Sequence, residues 1–347
     1  MRYLASIQII HGVEPIEGAD RIELVHVLGW QCVANKGQFK KGDKCVYFEI
    51  DSFLPVRDKF EFLRASSYKK DNINGEGFRI KTMRFKGELS QGLVIPAEKL
   101  GLEDFKAGTD VTERLGVKEW VVEERITSGG DIIGCRPADI PKTDETRVQA
   151  APGLINEFAG LKYYISTKMD GSSHSVCLDY NNTFHITGHN FEYKNDGKGG
   201  FSALVKKRDI EAKLRRYKAS HSGIETITVQ GELCAPGIQK NRLKLKQPEW
   251  YIFTVMINGK RCDLDMLKEV AETLDNPTVP IEEIGEDFPS KYPTVEAVLK
   301  RAEGQYPNGG QKEGIVIRPV EPVYCKLISA SLSMKAVSNK YLLKHDD

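Results

Sequence analysis

The order of strand-like and helix-like segments along this chain of 347 residues predicts an α+β protein with mostly antiparallel sheets. Roughly the first hundred residues read as short strands separated by turns. The remaining part, about 200 residues, mixes strands with amphipathic helices and lacks the regular strand–helix–strand order of a parallel sheet. We therefore expect a β-rich domain followed by a domain built on an antiparallel sheet with helices.

Composition narrows the class of protein. Hydrophobic residues make up 40% and charged residues 29% of the chain, and the net charge is +1. These values are typical of a globular protein and too apolar for a disordered one. No apolar stretch reaches the ~20 residues of a membrane span.

The 7 cysteines form no C-x-x-C pair, which argues against a zinc site or a disulfide framework. The start, MRYLASIQII, lacks a signal-peptide pattern. We expect a soluble intracellular protein of the cytoplasm or nucleus, with no membrane and no protein partner implied.

The N-terminal region contains five candidate strands separated by Gly-Asp, Asn-Gly and Lys-Gly turns. They are Tyr3–Ile10, Arg21–Val33, Lys44–Ile50, Arg79–Lys86 and Gln91–Pro96. Five short strands favour a small closed barrel, and the OB-fold is the commonest barrel of that kind. We assign residues 1–105 to a five-stranded OB-type barrel that binds nucleic acid.

Basic and aromatic residues alternate in the segment GFRIKTMRFKG of this domain, which contains Arg79, Lys81 and Arg84. Such a mixture suits a groove that follows phosphates and offers a stacking surface. Because the net charge is near zero, contacts with nucleic acid must come from local clusters of this kind. A half-buried strand with a solvated charged face is the alternative.

Residues 106–150 lose the alternation and collect Gly, Pro and charged residues, which predicts a connector. Residues 151–347 form the second domain. Its predicted helices are the segments FSALVKKRDIEAKLRRYKAS, DLDMLKEVAETLDN and TVEAVLKRAEGQ. Its predicted strands are Tyr164–Lys168, His174–Leu178, Thr226–Leu233, Trp250–Ile257, Gly314–Pro319 and Leu332–Val337.

Four segments of the second domain carry charges where strand packing does not require them. They are ISTKMDGSS with Lys168, VQGELCAPGIQKN with Glu232, KEGIVIRP with Glu313, and SLSMKAVSNKYLLK with Lys335 and Lys340. Each alone is explained by a solvated charge at a strand end. Together they suit attack by an amine on a nucleoside triphosphate, since lysines and a metal held by carboxylates neutralise the transferred phosphoryl group.

In this order, K-M-D-G, Q-G-E-L, the aromatic strand YIFTV, E-G-I-V-I-R and the C-terminal lysine segment resemble motifs I, III, IIIa, IV and V of the covalent nucleotidyltransferases. That superfamily contains DNA ligases, RNA ligases and mRNA capping enzymes. GELCAPGIQKN and MKAVSNKYLLK resemble nick-sealing RNA ligases. An OB-like domain placed before the catalytic domain resembles the same group, because DNA ligases and capping enzymes place theirs after it.

The resemblance implies a nucleotidyltransferase domain in which Lys168 forms a lysyl–AMP. It implies that Asp170 binds the waters of Mg²⁺ or Mn²⁺ or orients the lysine, and that Glu232 and Glu313 serve ribose and metal, with Glu313 favoured as the metal ligand. It also implies that Gly171 permits a close turn and that Phe253 stacks on adenine. It implies that ATP is the AMP donor and that Lys335 contacts the AMP phosphate, with Lys326 and Lys340 competing for the supporting position. The catalytic residues implied are thus Lys168, Asp170, Glu232, Glu313 and Lys335.

Two further segments bear on substrate binding. Many relatives have an arginine after motif I where this chain reads HITGHNFEYK, with His189 in the corresponding region, and a neutral histidine cannot reproduce a bidentate guanidinium contact. Lys194 could substitute, or His189 could be structural. The segment GIQKNRLKLKQPEW alternates the basic residues Lys240, Arg242 and Lys244, which predicts a cationic face for an RNA backbone.

The sequence therefore predicts an ATP-dependent RNA ligase that seals 3′-OH and 5′-phosphate ends, with nicked duplex RNA as its partner. An ATP-dependent DNA ligase shares the motifs and is the nearest alternative. A capping guanylyltransferase has the wrong order of domains. A nucleic-acid-binding protein with an inactive ligase-like domain is the alternative from a different class.

Overall fold

A computed structural model describes residues 3–121 and 130–345 of the protein. Within them, the chain forms two compact units. The first contains residues 3–121, 149–152 and 342–345, and the second contains residues 130–148 and 153–341. The predicted domain limits at 105 and 150 stay predictions, but residues 130–148, assigned above to a connector, pack within the second unit.

The first unit is made of short strands and one-turn helices. Its strands are β1 (Ala5–Pro15), β2 (Ile22–Val27), β3 (Trp30–Asn35), β4 (Lys44–Phe48), β5 (Ser52–Pro55), β6 (Tyr68–Asp71), β7 (Gly75–Arg79), β8 (Thr82–Phe85), β9 (Glu88–Gln91), β10 (Leu93–Pro96) and β11 (Lys118–Glu119). Its helices are a 3₁₀ helix (Asp58–Leu63), α1 (Arg64–Ser67), α2 (Ala97–Leu100) and α3 (Thr112–Leu115). One antiparallel sheet has the order β10-β4-β1-β2-β3 and another has the order β11-β5-β7-β6.

Two of the predicted strands are wrong in this unit. Arg21–Val33 is a hairpin of β2 and β3, because Leu28 takes a left-handed conformation (φ 53°) and reverses the chain where Val27 pairs with Trp30. Arg79–Lys86 is divided between the end of β7 and the separate β8–β9 hairpin. The five-stranded sheet therefore contains both halves of the first segment and excludes the second.

The second unit combines two larger antiparallel sheets with helices. Its strands are β12 (Ile132–Cys135), β13 (Lys162–Lys168), β14 (Ser172–Leu178), β15 (Phe184–Thr187), β16 (Phe191–Tyr193), β17 (Ile227–Cys234), β18 (Glu249–Ile257), β19 (Lys260–Arg261), β20 (Ile281–Glu286), β21 (Gly314–Pro319), β22 (Tyr324–Cys325), β23 (Ala330–Ser331) and β24 (Met334–Val337). The main sheets have the orders β12-β16-β15-β14-β17-β18-β19 and β20-β13-β21-β24.

Three helices, α4 (Gly200–Lys207), α5 (Ile210–Ser220) and α6 (Leu264–Thr273), pack against the longer sheet and form the main core of this unit. α7 (Phe288–Lys291) and α8 (Val295–Ala302) contact strands of the shorter sheet. A 3₁₀ helix at Pro152–Phe158 and α9 (Asn339–His345) complete the helices of the described residues. Phe201 and Leu214 pack with Trp250 of β18 in this core. The predicted single helix over 201–220 is two helices, because Asp209 adopts a left-handed conformation (φ 55°) between them.

Candidate active site

A cavity of about 210 Å³ in the second unit is lined by residues from both of its main sheets. β13 and β24 contribute Lys168 and Lys335, and β17 and β18 contribute Glu232 and Phe253. These side chains are separated by up to 167 positions in the sequence (335 − 168) and meet because the two sheets face the same space. The cavity therefore brings together four of the predicted site residues.

Strand register places Glu313 beside Lys168. Lys168 ends β13 and is paired with Gly314, the first residue of β21, so that Glu313 immediately precedes the pairing partner. The Lys168 Nζ lies 2.7 Å from Glu313 Oε1. β14 begins shortly after Lys168, and its residue Ser173 pairs with Glu232 of β17. This pairing brings Glu232 close to Lys168 and Glu313. The predicted amine and two predicted carboxylates thus form one cluster.

The pKa values of Lys168 and Glu232 in this cluster are both raised. Burial lowers the pKa of Lys168, but the negative charges of Glu313 and Glu232 outweigh burial and raise the pKa above its ordinary value. Burial and the nearby charge of Glu313 raise the pKa of Glu232 to about 7, although Lys168 opposes the shift. Only a neutral amine can attack phosphorus, and the raised pKa means that the protein alone holds Lys168 in its protonated, unreactive form.

Gly171, directly before β14, allows the chain to approach β17 closely and does not adopt a positive φ. A Cβ at this position would lie 2.4 Å from the Leu233 carbonyl oxygen and 2.9 Å from Glu232 Cγ. The Gly171 amide donates a hydrogen bond to Glu232 Oε1 at 3.1 Å. The glycine therefore helps to fix the position of the Glu232 carboxylate.

We expect Gly171→Ala to destabilise the protein by about 1–3 kcal/mol, because a backbone carbonyl cannot move aside as a flexible side chain can. Thermal unfolding measures the loss. Gly134→Ala is the matched control, since a Cβ at Gly134 in β12 meets nothing within 4 Å. Equal unfolding temperatures for the two variants would contradict the packing argument.

The Asp170 carboxylate is bound by two side chains of the protein, which does not suit direct binding of a metal. Its carboxylate forms an ion pair with Arg242, and the Tyr341 hydroxyl donates a hydrogen bond to Asp170 Oδ1 at 2.8 Å. The Arg242 guanidinium also lies over the Tyr341 ring, 4.7 Å from its centre. Direct metal ligation by Asp170 does not fit this arrangement. A contact of Arg242 with RNA does not fit it either, since only 8% of its side chain is exposed.

The three C-terminal lysines occupy different surroundings. Lys335 pairs with Val316 on β21 and lines the cavity. Lys326 is exposed in the turn between β22 and β23. Lys340 is exposed in α9 and lies 3.8 Å from Glu303. The geometry favours Lys335 as the phosphate contact, and neither of the other two lysines lines the cavity.

Phe253 is half-buried and lines the cavity, whereas its neighbour Ile252 on β18 is fully buried in the core. The Arg318 guanidinium lies 5.9 Å from the centre of the Phe253 ring and donates a hydrogen bond to the Phe253 carbonyl. Arg318 also donates to Glu145 Oε1 at 2.5 Å. Arg318 and Glu145 both line the cavity and were not among the predicted site residues. Glu145 lies in the predicted connector, where no periodic pattern marks it.

The region that replaces the expected arginine also reaches the cavity. His189 lines it, and its Nε2 lies 3.9 Å from Asp144 Oδ2. Lys194 is 57% exposed, lies 3.9 Å from Asp196 and does not line the cavity. The geometry therefore gives no support to a substitution by Lys194.

The residues predicted to bind RNA differ in exposure. Arg84, Lys240 and Lys244 are exposed and Lys81 is half-buried. Arg79 is only 13% exposed, pairs with Asp51 at 3.5 Å and lies over the Trp120 ring. Residues 236–248 form turns rather than a strand, so their alternating sequence does not create one basic face. Exposed lysines of this segment remain predicted RNA contacts.

Glu232 and Glu313 form a suitable pair of metal ligands. Carboxylate oxygens are the ligands that Mg²⁺ and Mn²⁺ prefer, and a cation would relieve the repulsion that helps to raise the pKa of Glu232. In the described parts of the chain, no group of three or more His, Cys, Asp or Glu side chains is arranged to hold a metal ion. Water and a phosphate oxygen would have to complete the coordination.

Two family models match this chain. An OB-fold domain family matches residues 4–97, and the RNA ligase family matches residues 161–337. No helix among the described residues has the length and apolarity to cross a membrane. No significant match was found among curated proteins.

Solved structures of an RNA ligase from Naegleria gruberi are similar to the whole chain. The structure with pyrophosphate is 32% identical, covers 100% of both chains and has a TM-score of 0.88. A mutant with ATP and Mn is 31% identical, covers 99% of both chains and has a TM-score of 0.87. A mutant with AMP and Mn is 31% identical, covers 100% of both chains and has a TM-score of 0.88. The predicted fold class, an N-terminal OB-fold followed by a nucleotidyltransferase domain, is confirmed. The chain belongs to the RNA ligase family.

Proposed function

We propose that this protein is an ATP-dependent RNA ligase that joins 3′-OH and 5′-phosphate ends at nicks through a lysyl–AMP intermediate. The observation that carries the proposal is the Lys168 amine, held 2.7 Å from Glu313 and lining a cavity with Glu232, Phe253 and Lys335. Similar structures contain ATP, AMP, pyrophosphate and Mn, which are the reactants, products and metal of this reaction.

Three displacements at phosphorus make up the reaction. The Lys168 amine attacks the α-phosphorus of ATP and loses a proton, an N–P bond forms, and pyrophosphate leaves. The 5′-phosphate of the RNA then attacks the same phosphorus, the N–P bond breaks, and an AMP-capped 5′ end forms. Finally, the 3′-OH attacks the capped phosphate, a phosphodiester forms, and AMP leaves.

The residues of the cavity have complementary roles in the first step. Phe253 stacks on the adenine, and Lys335 binds the α-phosphate as negative charge develops there. Glu232 and Glu313 would hold a divalent metal, which would supply positive charge to the transferred phosphoryl group. Asp170, bound by Arg242 and Tyr341, keeps the turn after Lys168 in place.

Incubation of the protein with ATP labelled at the α-phosphate, with Mg²⁺ or Mn²⁺, tests the first step. We expect a covalent label that survives denaturation in alkali and is released by acidic hydroxylamine, as a phosphoramidate requires. A protein that only binds nucleic acid would remain unlabelled. Sealing of matched nicks with RNA or DNA on the 3′-OH side then tests the substrate, and faster sealing with DNA there would favour a DNA ligase.

We expect Phe253→Ala to weaken ATP binding by about 1–3 kcal/mol, because a base–aromatic stack contributes roughly that amount. The half-saturating ATP concentration for label uptake measures the change. Tyr251→Ala is the matched control, since Tyr251 is a half-buried aromatic residue of the same strand that does not line the cavity. Equal effects of the two substitutions would argue against stacking on Phe253.

We expect Lys335→Ala to slow label uptake by about 100-fold or more, because removal of one charge-stabilising donor typically has this effect on phosphoryl or acyl transfer. Lys340→Ala should change the rate far less, since that lysine is exposed and pairs with Glu303. Label uptake at saturating ATP compares the two. A larger loss for Lys340→Ala would exchange their assigned roles.

A further inference from the structure

A buried tyrosine joins the two chain segments that carry Lys168 and Glu313. Tyr306 is 3% exposed, and its hydroxyl donates a hydrogen bond to the Lys168 carbonyl at 2.8 Å. The same hydroxyl accepts a hydrogen bond from the Glu313 amide at 3.2 Å. The Tyr306 hydroxyl therefore connects the backbone of Lys168 to the backbone of Glu313.

A carboxylate behind the site makes an equivalent connection through the preceding residues. Glu282 of β20 accepts a hydrogen bond from Thr167 Oγ1 at 2.7 Å, and Lys312 Nζ donates to both of its oxygens at 2.9 Å. Arg301 donates to Glu282 Oε2 at 2.7 Å. Thr167 directly precedes Lys168 and Lys312 directly precedes Glu313, so Glu282 holds the same two segments at a second point.

We propose that Tyr306 and Glu282 are positioning residues that set the separation of Lys168 and Glu313 for formation of the lysyl–AMP. This inference rests on the proposed function of Lys168. Neither residue lines the cavity, so each acts through the segments that it joins. β13 and β21 are already paired along their length, but Lys168 and Gly314 are the last pair, where strand ends separate most easily.

The contacts are of a kind that fixes geometry. Lys312 is 5% exposed, and its ammonium is satisfied by a two-oxygen contact with one carboxylate. Displacement of a reacting group by about 1 Å can slow an enzyme by about 100-fold. Loss of either connection should therefore lower the rate of adduct formation at saturating ATP and leave ATP binding nearly intact, since Phe253 and Lys335 are untouched.

Tyr306→Phe and Glu282→Gln test the proposal with little change of shape. The first removes the hydroxyl, and the second removes the negative charge and one of the two oxygens that bind Lys312. Tyr292→Phe and Glu283→Gln are the matched controls. Tyr292 is a buried tyrosine whose hydroxyl donates to Glu283 Oε2 at 2.9 Å. Glu283 neighbours Glu282, has a similar exposed fraction (16% against 18%) and also pairs with Arg301, but it contacts neither Thr167 nor Lys312.

The measurement is single-turnover formation of the Lys168 adduct over a range of ATP concentrations, with thermal unfolding of every variant. We expect Tyr306→Phe and Glu282→Gln to lower the maximal rate by about 10-fold or more and to change the half-saturating ATP concentration by less than about 3-fold. The controls should keep the wild-type rate, even where Glu283→Gln lowers the unfolding temperature as much as Glu282→Gln. Thr167→Ser, which keeps the donor to Glu282, should retain more activity than Thr167→Val.

Wild-type rates in Tyr306→Phe and Glu282→Gln would overturn the inference and leave the proposed function intact. Equal losses in the control variants would also overturn it, because the effect would then follow from stability alone. If Glu282→Gln does not fold, Tyr306→Phe decides the matter by the same criteria. A wild-type protein that forms no adduct at Lys168 would overturn both the proposed function and this inference.

Discussion

Replacing Lys168 by alanine is expected to abolish formation of the covalent protein–AMP adduct. In the proposed reaction the Lys168 amine is the attacking group, and among the residues that the structure describes Lys335 is the only other lysine that lines the cavity. Lys168→Arg should be equally inactive, because a guanidinium stays protonated and cannot attack phosphorus. Labelling with α-phosphate-labelled ATP, followed by mapping of the labelled peptide, measures both variants.

A pre-adenylylated RNA nick separates loss of the nucleophile from loss of the fold. Its 5′ end already carries AMP, so sealing no longer requires the amine, and Lys168→Ala should retain this step. Lys162→Ala, at the exposed start of the same strand, is the control that should label normally. Label that maps to another residue in the wild-type protein would show that the nucleophile has been wrongly assigned.

Strand alternation predicted much of the fold correctly, since β21 spans the expected residues Gly314–Pro319 and β18 begins one residue before the expected Trp250. The errors occur where a single backbone conformation overrides the pattern. Leu28 and Asp209 adopt left-handed conformations that interrupt a predicted strand and a predicted helix. Neither residue type is the glycine that usually marks such a position, so the local sequence carries no strong signal.

The site was predictable where a charge follows a strand and is unexplained by packing. Lys168, Glu232 and Glu313 meet this description, and the structure brings the three together. Arg242 and Glu282 could not be assigned in this way, because their partners lie far away in sequence. Arg242 was predicted to lie on a cationic face for RNA but turns inward to Asp170, 72 positions earlier (242 − 170).

The protonation state of Lys168 is the property of the site that the sequence predicted least well. An attacking lysine must be neutral, yet Glu313 and Glu232 raise the pKa of Lys168 in the protein alone. With a raised pKa, little of the Lys168 amine is neutral at pH 7. Below the pKa, the neutral fraction rises about tenfold for each unit by which the pH increases. If Glu313 held a divalent metal as proposed, its charge would be shared with that cation and would favour the protonated form of Lys168 less.

Glu313→Gln is therefore expected to have two effects of opposite sign. The maximal rate of adduct formation should fall by about 100-fold or more, since loss of even an outer-shell partner of a metal ligand typically costs about 10–100-fold and charge neutralisation is lost as well. The residual reaction should reach half of its maximum at a lower pH than the wild-type reaction, because the charge that raises the pKa of Lys168 is removed. Rates measured from pH 6 to 10, at several Mn²⁺ concentrations, separate the effects.

Glu303→Gln, which alters a carboxylate 3.8 Å from the exposed Lys340, should change neither quantity. An unshifted pH profile with a full loss of rate would mean that Glu313 serves the metal alone and does not control the protonation of Lys168.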